Sequence, residues 1–208
     1  MRISRFLMLA VLAGASTSVI AQAVPAGPDL GPTVSSRSPI AVSLSYTAMI
    51  SNSPPGSCGC FLLNGGSGEG VFHVWRSVAA VAQLTGNRSG QIPGSIQGLS
   101  LVTYMGGPRF SVRAMHRVTV YGQFLAGRVH GFDSYFPRND ASSPSAAGSL
   151  AIAPGGGVEV GVRSWLSVRP VEAEYLMTRL PNSEDTSQHN LRISSGFVFR
   201  FSTALLTR

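Results

Sequence analysis

Six charged side chains carry most of the chemistry that this sequence could perform. Glu159, Glu172 and Glu174 are carboxylates, and Arg109, Arg192 and Arg200 are guanidiniums. Each sits in an alternating stretch, on the parity opposite to apolar neighbours: Glu172 and Glu174 oppose Val171, Ala173, Tyr175 and Met177, and Arg109 opposes Phe110 and Val112. Side chains of one parity share one face of a strand. Held inside an enclosed space, they can form charge-assisted pairs in which each group satisfies the other. Paired carboxylates could also cleave a glycosidic bond, but only with room for a sugar between them. His130, Asp133 and Ser134 are close in sequence and have the composition of a hydrolytic triad. A triad is a matter of geometry, however, and no nucleophile-elbow glycines frame Ser134. His73, His116, His130 and His189 are dispersed, and Cys58-Gly59-Cys60 supplies too few ligands for a structural metal. The expectation is a loop-end disulfide between Cys58 and Cys60, with no metal and no cofactor.

Strands must position these groups. Alternating runs fall at about 40–50, 60–74, 77–86, 99–113, 117–131, 148–162, 165–179 and 190–201. In the last, Leu191, Ile193, Phe197, Phe199 and Phe201 oppose Asn190, Arg192, Ser194, Gly196 and Arg200; in the first, Val42, Leu44 and Tyr46 oppose Ser43, Ser45 and Thr47. The second run, with Gly65, Gly66, Gly68 and Gly70, shows no clean phase. Pro108, Pro154 and Pro170 lie inside runs and are expected to need bulges, because proline deletes a ladder donor. Connections near 75–76, 114–116 and 163–164 are tight. Those at 51–59, 87–98, 132–147 and 180–189 are long and polar. Long alternating with short is the rhythm of an up-and-down barrel with short periplasmic turns and longer outer loops. Trp75 and Trp165 both fall beside short turns, where an interfacial aromatic girdle belongs; Phe197, Phe199 and Phe201 join it in this reading.

Composition narrows the solvent. Hydrophobic residues make up 44% and charged residues only 12% of the 208 residues. Beyond the first residues, no apolar run is long enough to cross a bilayer as a helix. High apolarity without a spanning helix is what a transmembrane β-barrel leaves in a composition. The chain has a formal charge of +7, but its arginines are scattered singly, which argues against nucleic acid as a partner. Residues 1–23 read as a secretory signal: Arg2 and Arg5, an apolar run from Phe6 to Ile20, and the small-residue site Ala21-Gln22-Ala23. Residues 24–38 then form a flexible leader, 39–201 the barrel, and 202–208 a short tail.

The signal ending, the hairpin rhythm and the terminal Phe197-Val198-Phe199-Arg200-Phe201 together resemble small outer-membrane β-barrel proteins of the OmpA-like transmembrane-domain type, including the OmpX-like eight-stranded barrels. The resemblance covers about 40–201. It implies a closed antiparallel barrel of about eight strands in the bacterial outer membrane. It also implies contact with outer-membrane lipid and lipopolysaccharide, and handling by the barrel-assembly machinery, which reads an aromatic-ended terminal segment. Members usually end on that aromatic, whereas here Ser202 to Arg208 follow; no soluble domain is expected after the barrel, so a peptidoglycan-binding role is not expected to carry over.

The functional expectation is a non-enzymatic scaffold with a side-chain-filled lumen. Its long loops, especially 132–147 with Phe132, Tyr135 and Phe136, are expected to present surface to an unidentified partner. A narrow passive channel is the alternative. A lipid-A-modifying enzyme and a soluble secreted β-sandwich stand behind it. Asn87-Arg88-Ser89 matches a glycosylation pattern, a three-residue match of low specificity.

Overall fold

The computed structural model describes residues 40–52, 60–90, 98–134, 136, 144–181 and 187–201. The expected signal, leader and tail lie outside them, as do Tyr135 and Cys58. Eight strands follow one another: β1 Ile40–Asn52, β2 Cys60–His73, β3 Val78–Ser89, β4 Leu99–Arg113, β5 Val118–Phe132, β6 Ala147–Gly161, β7 Leu166–Thr178 and β8 Gln188–Phe201. Each pairs antiparallel with its sequence neighbours, and β8 closes on β1, giving a closed up-and-down barrel. There is no second sheet among the described residues for the strands to pack against, so the β-sandwich alternative fails.

The registers fix the barrel's shape. Stepping across the ladders from Ile40 through Phe72, Ala80, Pro108, Phe124, Pro154, Tyr175 and Leu191 arrives at Ile50, a stagger of ten residues. Ten residues rise about 33 Å while eight strands span about 38 Å, so the strands tilt roughly 40° from the axis. A bore of this kind is just wide enough for side chains to fill it.

The prolines behave differently from expectation. Pro108 and Pro154 sit in unshifted registers; only the pairs on one flank, toward Phe124 and Tyr175 respectively, drop out of the ladder. Each missing donor therefore costs a local gap on one side rather than a bulge. At Pro170 the register does shift, between Arg169 and Glu172 against β8 and between Val158 and Val160 against β6. An added residue there reverses the in–out parity. Ser167 and Arg169 point inward before it, Glu172 and Glu174 after it.

Facing follows the alternation. Leu44, Phe124, Leu150, Ile193 and Phe197 lie on the outer wall, with Leu44 59% and Phe197 53% exposed. Odd-numbered residues of β2, from Phe61 to Val71, face inward, so the strand without a legible phase has one after all. Its glycines hide it, since a side chain of one atom marks neither face. Asn87 also faces inward, where its Nδ2 donates to Thr47 Oγ1 at 2.7 Å. The glycosylation match therefore lies within β3, closed to a glycan.

An arginine at mid-wall would test the outward face. We expect Leu44→Arg to destabilise the barrel by about 2–4 kcal/mol in urea-driven unfolding from lipid vesicles. A change below about 1 kcal/mol would mean that this wall does not contact hydrocarbon.

Candidate functional site

Toward the short-turn half, the lumen holds four carboxylates and four guanidiniums: Glu69, Glu159, Glu172 and Glu174 with Arg109, Arg169, Arg192 and Arg200. The charges balance. Arg169 is the hub, with Nη2 donating to Glu69 Oε1 at 2.8 Å and Glu159 Oε1 at 3.0 Å, and Nη1 to Glu172 Oε2 at 2.7 Å. Arg109 Nη2 donates to the other oxygen of Glu69 at 2.6 Å. Arg192 holds Glu174 through Nη2 at 2.7 Å and Nε at 2.8 Å, and Arg200 reaches Glu159 Oε2 at 2.8 Å.

Neutral amides complete the set. Gln123 Nε2 donates to Glu172 at 2.8 Å and Glu174 at 3.0 Å, while its oxygen accepts from Arg109 Nε at 2.8 Å. Gln83 bridges Arg192 and Glu174 in the same way. Tyr121 presents its ring to two cations, its centre 4.0 Å from the Arg109 guanidinium carbon and 5.1 Å from that of Arg169. Two glycines of β6 make room. A Cβ at Gly157 would stand 2.7 Å from Tyr121 Oη, and one at Gly155 would stand 2.6 Å from Glu174 Cγ.

The six charged residues singled out in the sequence all lie in this cluster, although of the two β7 carboxylates, each near enough in sequence terms to meet Arg192 or Arg200 on neighbouring β8, only Glu174 does so. Glu174 meets Arg192 across β7 and β8; Glu172 instead meets Arg169, and Arg200 crosses to Glu159. Two central members, Glu69 and Arg169, escape sequence reasoning. Glu69 sits in the glycine-rich strand, and Arg169 precedes the parity reversal at Pro170. The proline was the available signal, because a bulge there turns Arg169 inward.

An apolar layer closes the charges off on the long-loop side. Beyond them toward the long loops lie Met49, Leu63, Leu101, Leu125, Val129 and Leu176, all within 5% of full burial. Phe136 caps this layer at 4% exposure, its ring over Gly131, where a Cβ would come within 2.4 Å of it. Its backbone N–H donates to Pro144 O at 3.2 Å. Expected to present surface, Phe136 is folded into the barrel mouth, where an apolar ring finds apolar neighbours; Phe132 does remain outside. Asp133, with a φ of 59°, makes the turn that leads there, and its carboxylate accepts from Ser100 Oγ at 2.9 Å.

The same Ser100 contact and a second one separate the triad candidates. His130 Nε2 is hydrogen-bonded to Tyr104 Oη at 3.2 Å on the outer wall, and its ring stacks between Tyr104 and Phe132. Neither Asp133 nor Ser134 engages it. Cys60 begins β2 with an exposed side chain, and the expected disulfide falls outside the described residues.

On the outer wall, Trp75 and Trp165 project from the short-turn end at 74% and 52% exposure. Phe199 stacks on Trp165 with ring centres 6.3 Å apart, and Phe201 is exposed nearby. A second aromatic level, absent from the sequence reading, lies toward the long loops. Tyr46, Tyr104 and Tyr175 are exposed there, and each hydroxyl is hydrogen-bonded on the adjacent strand, to Asn64, His130 and His189. Along β7, Trp165 and Tyr175 are ten residues apart, roughly 25 Å at this tilt. That is the height of a barrel's apolar band.

Known structures share this form. The chain superposes on Neisserial surface protein A with a TM-score of 0.63 at 12% identity, over 79% of this chain and 98% of that one. The fold is that of an outer-membrane barrel. The outer membrane protein OprG from Pseudomonas aeruginosa gives a TM-score of 0.50 at 8% identity, over 80% and 97% of the two chains. No protein-family model matches the sequence, and no curated protein does. The apolar wall between two aromatic levels is the physical reason that such a fold resides in the bacterial outer membrane.

The ionic cluster makes a quantitative prediction. Arg192→Met leaves Glu174 facing only neutral amides and should cost about 3–5 kcal/mol in unfolding free energy. Adding Glu174→Gln removes the stranded charge, so the double variant should lose less than the sum of the two singles by at least about 1 kcal/mol. Strict additivity would show that the two groups do not act as a pair.

Proposed function

We propose that this outer-membrane barrel is a non-enzymatic, membrane-embedded scaffold with a closed lumen, whose long connections present surface to a partner outside the cell. The observation that carries the reading is the sealed interior. A balanced set of eight charges, seven of them buried and Arg200 partly so, spans the bore, each held by at least one short contact, and a largely apolar layer capped by Phe136 lies above it. An ion entering this path would have to displace guanidinium–carboxylate pairs and then cross Leu63, Leu101, Leu125 and Leu176. The polar groups at the leucine level are few, and Asn87 and Thr47 among them are bonded to each other, so they do not replace a hydration shell. Two carboxylates in such a packed space also leave no volume for a sugar, which counts against glycosidase chemistry. In this reading the terminal aromatics Phe197, Phe199 and Phe201 present themselves to the barrel-assembly machinery. The surrounding lipid includes lipopolysaccharide on the long-loop side.

The narrow passive channel remains the second reading, supported only by the polar character of the inner half of the lumen. Planar-bilayer recording separates the two. The purified, folded barrel should stay electrically silent in about 1 M salt, where the Debye length is only about 3 Å. Steady single-channel steps whose ion preference changes in Glu172→Gln would establish the channel and overturn the scaffold.

A further inference from the structure

Arginine is costly on a lipid-facing wall, yet two stand there. Arg88 of β3 and Arg128 of β5 are exposed on the outward parity, beside Leu84 and Gly86 in one strand and Phe124 and Ala126 in the other. Among the described residues neither guanidinium has an ion-pair partner. Every carboxylate of the strands is inside the barrel, and Asp133, above them, is engaged by Ser100. In register, Arg88 lies opposite Ser100 and Arg128 opposite Tyr104, both on the intervening strand β4. Four residues along and two strands across place their Cα atoms about 16 Å apart. Two extended arginine side chains are long enough to span most of that gap, across Val102 and Tyr104 of β4.

Their depth is the decisive feature. Arg128 is level in register with Tyr104, a member of the aromatic level that marks the long-loop edge of the apolar band. At that depth a cation meets the headgroup layer, and the groups there that match a guanidinium bidentately are phosphates. Tyr104, opposite Arg128 in register, has its hydroxyl hydrogen-bonded to His130 at 3.2 Å at the same edge. Directly beneath, on the hydrocarbon side, the wall is indented. A depression of about 410 Å³ is lined by Gly68, Ala82, Leu84, Gly106 and Ala126, with Tyr104 at its rim. A cationic edge above an apolar trough is complementary to one lipid molecule: an anionic headgroup above, and an acyl chain below.

We infer that the outer wall of β3–β5 is a binding site for a phosphorylated lipid of the surrounding leaflet, with Arg88 and Arg128 holding headgroup phosphate and the depression under Tyr104 receiving an acyl chain. The inference rests on the outer-membrane reading, and it gives the lipid contact named there a specific address. It requires no motion and no cofactor.

Native mass spectrometry of the full barrel, released from nanodiscs, tests it. Nanodiscs of phosphatidylcholine would be doped with bis-phosphorylated lipid A or with its dephosphorylated form. The wild-type barrel should retain the phosphorylated lipid at least about tenfold better, and this preference should fall as salt is raised. Arg88→Gln/Arg128→Gln should abolish the preference, whereas Arg113→Gln/Arg117→Gln, at the short-turn end, should keep it. Should the double variant lose its heat-modifiable gel band, the single variants replace it, each expected to lose a severalfold part of the preference. Equal retention of both lipids by the wild type would overturn the site, as would an undiminished preference in folded arginine variants. Free inorganic phosphate that competes as well as lipid A would also overturn it, by showing an anion site with no use for the acyl chain. Channel activity with the lipid preference intact would sink the scaffold and leave this site standing.

Discussion

Hydrocarbon offers no hydrogen bonds, and the whole architecture answers to that. Each backbone N–H and C=O in the wall needs a partner within the sheet, because an unpaired one costs several kcal/mol in lipid. Closure of β8 on β1 removes the last free edge. Closure in turn fixes a ten-residue stagger and a tilt near 40°, and these set the bore. Once the bore is fixed, the inward side chains must fill it. Even the two unbulged prolines illustrate the pressure: the ladder loses local pairs beside Pro108 and Pro154, yet the register holds on both sides of each.

A filled bore explains why the charges come as a balanced set. An isolated ion in so confined a space would be prohibitive, whereas four carboxylates and four guanidiniums with bridging glutamines leave few unmet donors. The cluster is also a form of specificity. A one-residue slip of any strand would turn its charged members toward lipid and strand their partners inside, so the network penalises alternative registers. Glycines at 155 and 157 belong to the same solution, since they supply the space that Glu174 and Tyr121 occupy.

The two ends of the wall are not equivalent. Tryptophans, with a stacked phenylalanine, mark the short-turn edge, and hydrogen-bonded tyrosines mark the other. Amphipathic rings of this kind favour the layer between water and hydrocarbon. The band between them is apolar, and Arg88 and Arg128 stand at its tyrosine edge. Within the bore the asymmetry repeats, with charge toward the short turns and packed aliphatic side chains under Phe136 toward the long loops.

Most strands were legible in the residues because period two survives any register: the alternation of Leu191, Ile193 and Phe197 with Arg192 and Ser194 means one wet face and one oily face wherever β8 sits. Connection lengths likewise showed hairpins, and hence an up-and-down order. Three things were decided only by the assembled barrel. The face of the glycine-rich β2, and so the place of Glu69, was settled by its neighbours' registers, because glycine declares no side. Arg169 turned inward because the shift at Pro170 resets parity, which local alternation cannot reveal. Phe136 and the partners of each charge depend on what lies across the bore, and distances between residues a hundred positions apart, such as Glu69 and Arg169, are a property of closure rather than of any segment.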